Sequence, residues 1–202
     1  AALGVPYVLV ERSPEDDAAG AERVVTDHAY GARIAVRHLA ASGRESVGLL
    51  LREDSPHAAL VLEGYRAGLA AAGRETGRDK ALFRLPPPGG DGARRERVLG
   101  AFAEAVAEGR LDGALVHNDH DAIVALRRVR ARGAEVPGDV ALVAYDDEVA
   151  ALADIPLSAV APPKYAVGAA AVELLARRIA GPSRPRRRLA ILPELHVRAS
   201  SA

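Results

Sequence analysis

Two short polar clusters, Val116-His117-Asn118-Asp119-His120-Asp121 and Tyr145-Asp146-Asp147-Glu148, each come directly after an apolar run. A run without polar alternation reads as a strand buried on both faces, and ligands of open α/β sheets bind just past the carboxyl ends of such strands. Asn118 offers a donor and an acceptor there, which suits a hydroxyl-rich ligand. Asp119 is placed to cap the next helix by accepting from its first free backbone N–H groups. Asp146 and Asp147 are neighbours, and neighbours on an extended strand point to opposite faces. One is therefore expected to face a cleft as a hydroxyl acceptor and the other to act as a cap. The alternative, a metal or acid–base pair, needs both on one side.

Other chemistries lack their parts. His117 and His120 are three residues apart and His57 is distant in sequence, so no third ligand completes a zinc spacing. No Gly-x-Ser-x-Gly elbow occurs, and no Gly-x-Gly-x-x-Gly follows a strand. Gly89-Gly90-Asp91-Gly92 lacks the Lys-Ser or Lys-Thr of a phosphate loop. With no cysteine among 202 residues, disulfides and thiolate chemistry are excluded. Neither a cofactor nor a metal is expected. Basic and acidic residues balance at 27 each, so no overall surplus attracts nucleic acid or anionic membrane. Arg184-Pro185-Arg186-Arg187-Arg188 reads as a solvated loop, with a phosphate contact as the alternative. No apolar run approaches a membrane span, and the start is not a signal peptide.

These residues need a frame, and the apolar periodicity supplies one. Strands are expected at Val5–Val10, Val24–Thr26, Val47–Leu51, Ala81–Leu85, Gly113–Val116 and Val140–Ala144, with β segments at Leu189–Leu192 and Leu195–Val197. Helices are expected at Ala29–Ala41, Ala58–Ala72, Ala93–Glu108, Asp119–Arg132 and Tyr165–Ile179. Strand–helix alternation at this spacing gives an α/β fold with a doubly wound parallel sheet. One opening strand and one late helix cannot make a core of their own, which points to chain before Ala1. Arginine outnumbers lysine 25 to 2 and alanine reaches 43, the coding bias of a GC-rich bacterial genome.

The order of these motifs resembles the LacI/GalR family of bacterial transcription regulators. Val5-Pro6-Tyr7-Val8-Leu9-Val10-Glu11-Arg12 is similar to the family's strand ending in a carboxylate and an arginine. Val25-Thr26-Asp27-His28, Gly31, His38-Leu39 and Ser42-Gly43-Arg44 resemble its crossover, helix and turn, and Leu62-Glu63-Gly64-Tyr65 its next helix. The most specific stretch runs from Gly113 to Asp119 and from Val136-Pro137-Gly138-Asp139 to Tyr145-Asp146-Asp147. Ile155–Val160, Gly168 and Leu192–Ser200 extend it.

The resemblance implies a two-lobed periplasmic-binding-protein-like fold whose amino-terminal lobe is incomplete. Residues 1–26 would be a remnant of that lobe, 27–161 the carboxy-terminal lobe, and 162–202 a return to the amino-terminal lobe. It implies ligand contacts at Glu11, His57, Asn118 and Asp146. It also marks departures. Val61 stands where the family has an arginine that forks onto the ligand, Gly92 where an aromatic stacks on it, and Pro162 where a polar contact lies. A valine supplies no guanidinium donors.

The function implied is the effector-binding and dimerisation portion of a cytoplasmic regulator, not an enzyme. A sugar or related polyol is the expected effector, and operator DNA is reached only through a helix-turn-helix outside these residues. Apolar Ile123, Leu126, Val149, Leu152 and Ile155 exceed what a sheet-facing stripe needs, which fits the two-fold pairing that the resemblance implies. The rival readings are the solute-binding protein of a sugar transporter and an α/β enzyme using Asp146 and Asp147.

Overall fold

The computed structural model describes residues 5–12, 20–74 and 81–202; the opening residues 1–4 lie outside them. Along the chain run β1 (Val8–Val10), β2 (Glu22–Thr26), α1 (His28–Ala41), β3 (Val47–Arg52) and α2 (Ala58–Ala71). Then come β4 (Leu82–Leu85), α3 (Gly92–Ala107), β5 (Gly113–His117), α4 (Asp119–Ala131) and β6 (Ala141–Tyr145). A short 3-10 turn at Ala150–Leu152 precedes β7 (Ser158–Ala161), α5 (Lys164–Ala180), β8 (Arg188–Ile191) and β9 (Glu194–His196). The chain divides into two units, Ala1–Asp27 with Pro162–Pro193, and His28–Ala161 with Glu194–Ala202.

The larger unit holds a six-stranded sheet in the order β4-β3-β5-β6-β7-β9. All its pairings are parallel except β7 with β9. Alternate residues of the central strands enter different cores, because strand side chains alternate in direction. Leu50, Val116, Leu142 and Ala144 pack with Leu99, Phe102, Leu126 and Val129 of α3 and α4. Leu49, Leu51, Leu115, Val143 and Tyr145 pack with Val36, Leu39, Val61 and Leu69 of α1 and α2. Both faces are covered, so no polar residue interrupts β3, β5 or β6 before its last position. The sheet is doubly wound.

Two glycines bring α1 and α2 together. A Cβ on Gly64 would lie 2.0 Å from the Ala29 carbonyl oxygen, and one on Gly68 would lie 2.7 Å from the Val36 Cβ. No side chain larger than hydrogen fits at Gly64 without moving backbone.

The smaller unit is a three-stranded parallel sheet in the order β1-β2-β8. Val167, Ala171 and Leu174 of α5 cover it and pack on Val24, with Val8 and Ile191 beside them.

Three expectations need correction. The segment expected to return whole to the amino-terminal lobe, 162–202, is divided, because Glu194–Ala202 belongs with the larger unit. There β9 pairs antiparallel with β7, and Ser200 Oγ donates to the Leu142 carbonyl (2.6 Å) while accepting from the Ser158 N–H (2.8 Å). Those bonds bury Ser200 fully. Next, β7 is a buried strand that the apolar pattern does not signal, its short run lying between prolines. Finally, Leu126 is core rather than surplus surface, and Ile123 and Ile155 pack against that core, whereas Leu152 is 81% exposed.

Candidate functional site

Parallel register sets the polar edge of the larger unit. Leu51 pairs with His117 and Val116 with Ala144, so β3, β5 and β6 finish close together at Arg52, His117 and Tyr145. The chain's polar chemistry begins just past each strand end: Ser55 and His57 after β3, Asn118 after β5, Asp146 after β6. Three of the four residues expected to hold ligand therefore lie at one sheet edge. Glu11 belongs to the other unit. There its backbone is left-handed (φ 52°), and its Oε1 accepts from the Thr26 N–H (3.0 Å) and hydroxyl (2.7 Å).

Asn118, not Asp119, is the cap of α4, its Oδ1 accepting from the Asp121 N–H at 3.0 Å. The helix begins at Asp119, as its expected range had it, so the residue before it is the cap. Asp119 is buried instead, and its Oδ2 accepts from the N–H groups of Glu148 (2.6 Å) and Val149 (2.7 Å). It ties the loop after β6 to the start of α4. The Asn118 carboxamide also carries an NH₂ donor.

Asp146 and Asp147 are not on an extended strand. β6 stops at Tyr145, and both aspartates turn left-handed, at φ 87° and 53°. Aspartate tolerates that region better than most side chains. Asp147 faces Arg198, which donates from Nη1 (2.6 Å) and Nη2 (2.9 Å), and His196, whose Nδ1 lies at 2.7 Å. Burial opposes ionisation of Asp147, but the hydrogen bonds from Arg198 and His196 outweigh it and hold the carboxyl below its ordinary range. Asp147 is thus a strut between the loop after β6 and the chain after β9. Asp146 donates its N–H to the Val160 carbonyl at 3.0 Å, which fixes the backbone just past β6.

A histidine–tyrosine group occupies the same edge, and the sequence does not announce it. His28, at the start of α1, stacks on His57 with centroids 3.9 Å apart, and its Nδ1 lies 3.0 Å from the hydroxyl of fully buried Tyr145. His117 meets Tyr145 edge-on at 5.5 Å, its Nε2 is 3.5 Å from Ser55 Oγ, and its buried Nδ1 has no hydrogen-bond partner among the described residues. Burial lowers the His117 pKa to about 3, with His28, His57 and Arg52 adding repulsion. The ring is therefore neutral at any ordinary pH. The signal that finds this group is register: each member sits at a strand end or a helix start of one edge. His57 is the residue just before α2.

At the positions of family departure, Val61 is fully buried in the core of α2 and Gly92 opens α3. The nearby guanidinium of Arg52 is committed to buried Asp121 at 3.0 Å, which Arg95 also contacts.

The profile of the family described as periplasmic binding protein-like domain matches residues 36–201. A transcriptional-regulator structure from Sanguibacter keddieii, assigned to the LacI family, is 33% identical, with a TM-score of 0.75 over 97% of this chain and 72% of its own. The chain belongs to the LacI family. Its mixed α/β build, with parallel-dominated sheets, is the family's periplasmic-binding-protein-like fold. The transcriptional regulator CelR in complex with cellobiose is similar at 30% identity and a TM-score of 0.80, over 98% of this chain and 59% of that one. An uncharacterized HTH-type transcriptional regulator from the aml 5′ region of Streptomyces limosus is 33% identical over 98% of this chain. The LacI-family chain spans 55% of that relative's length. These relatives are transcription regulators, neither transport proteins nor enzymes by description. Among the described residues, no helix is long and apolar enough to cross a membrane.

Proposed function

We propose that the chain is the effector-binding and pairing portion of a LacI-type transcription regulator, with a sugar or related polyol as effector. The observation that carries this reading is the polar sheet edge. Asn118, Asp146 and His57 come after neighbouring strands on a framework similar to that of a cellobiose-bound regulator. A carboxamide, a carboxylate and an imidazole offer the mixed donors and acceptors that vicinal hydroxyls need. The larger unit is the carboxy-terminal lobe, and the smaller one belongs to the amino-terminal lobe. Effector binding shifts the population between two states of the module, and that shift changes affinity for operator DNA. Operator recognition belongs to the part of the relatives that this chain does not span. The regulator acts in the cytoplasm as a homodimer, with exposed Leu152 on the pairing face.

Calorimetric titration with a panel of mono- and disaccharides tests the reading. At least one sugar should bind saturably, and Asn118→Ala or Asp146→Ala should weaken it at least about tenfold, the loss of roughly one good polar contact. A double variant that binds as tightly as the parent overturns the site, and silence across the panel overturns the sugar.

A further inference from the structure

One end of the smaller unit carries charge that the effector reading leaves unused. The chain as a whole is neutral. Yet Arg177, Arg178, Arg184 and Arg187 line a recess of about 110 Å³ whose single carboxylate, among the described residues, is Glu22. Arg186 and Arg188 flank it in the same segment.

The recess is built by specific bonds. Glu22, 4% exposed, accepts from Arg178 Nε (2.7 Å) and from the Arg187 N–H (3.1 Å). Arg178 Nη1 then donates to the carbonyls of Pro182 (2.6 Å) and Arg184 (2.8 Å), which clamps the loop between α5 and β8. Arg186 Nη1 donates to the Gly20 carbonyl at 2.9 Å. The carboxylate is thereby committed to Arg178 and the Arg187 backbone, while Arg177, Arg184 and Arg187 also line the recess. Several guanidinium forks around one recess match the oxygens of a phosphate group. The recess lies where β2 and β8 begin, with Arg23 paired to Arg188, at the opposite end of the sheet from Glu11 and Thr26. Its ligand is therefore separate from one bound at the strands' carboxyl ends.

We infer that this recess is a phosphate-group site, and that the whole regulator sets it against the DNA backbone. The choice of DNA as the source of phosphate rests on the regulator reading above. Since the chain has no net charge, attraction to DNA has to come from a local concentration of arginine such as this one.

The test is titration of the chain with a short duplex of arbitrary sequence across a range of salt. The expected Kd lies at roughly 10⁻⁴ to 10⁻⁶ M, the range of sequence-independent binding. Combining Arg177→Gln, Arg184→Gln and Arg187→Gln should reduce the log Kd against log salt slope by about 2 to 3, and inorganic phosphate should compete with the duplex. Glu22 and Arg178 are untouched, and circular dichroism checks that the variant folds. A control with Arg66→Gln, Arg97→Gln and Arg127→Gln, an equal charge change in the other unit, should keep the parental slope. Equal slopes in the two variants would overturn the site. Phosphate binding without duplex binding would overturn its assignment to DNA. No sugar and no operator is present, so failure of the effector reading leaves this result untouched.

Discussion

His117 ends β5 with 5% of its surface exposed, between Tyr145 and Ser55. Its folded pKa of about 3 lies below the unfolded value near 6.5, so between those values the unfolded chain holds a proton that the folded one does not. The stabilisation is whole above pH 6.5 and drains away as pH falls toward 3, by about 1.4 kcal/mol per pH unit in the middle of that window. Urea midpoints between roughly pH 6 and 5 should therefore drop on acidification, and His117→Leu should flatten the slope by about that amount. Parallel slopes in parent and variant would refute a neutral His117. This residue also shows the limit of the sequence as a guide to the site. Asn118 and Asp146 are legible because each lies just past an apolar run. His28, His117 and Tyr145 become a group only through the pairing of Leu51 with His117 and Val116 with Ala144, and register is not written in any one segment.

Helices α1 and α2 allow a sharp test of packing. Gly64→Ala puts a methyl carbon 2.0 Å from the Ala29 carbonyl oxygen, so backbone must move, at a cost of about 1–3 kcal/mol or more. Gly100→Ala, inside α3 with nothing within 4 Å of its Cβ position, should instead stabilise by about 0.4–1 kcal/mol, because the unfolded chain loses freedom. Thermal denaturation of the two variants should move in opposite directions, and matched shifts would contradict the packing described. Most elements are legible in the sequence because two buried faces demand continuous apolar runs in β3, β5 and β6. β7 is not. Its four residues include a serine, and that serine is buried because Arg198 and Ser200 satisfy it from a distant segment. The aspartates after β6 depart from expectation for a related reason. Opposite-facing neighbours require extended backbone, which ends at Tyr145.

The proposed pairing puts weight on Leu152, an apolar side chain 81% exposed at the end of the 3-10 turn. Leu152→Asp should place an unpaired charge in the pairing face and favour monomers, while leaving the melting of a dilute sample little changed. Sedimentation showing a concentration-independent monomer for the parent would remove the premise. The division of the chain at Asp27, Ala161 and Pro193 has a consequence for timing. Each unit is assembled from pieces far apart in sequence, so neither is complete when its first piece leaves the ribosome. β2 waits for β8 to cover its second edge, and β7 waits for β9 to bring Ser200 to the Leu142 carbonyl. The closing stitches of both units belong to the same late stretch of synthesis. A nascent chain stalled before Arg188 would leave β2 and β7, interior strands of the finished sheets, as edges open to pairing with other chains.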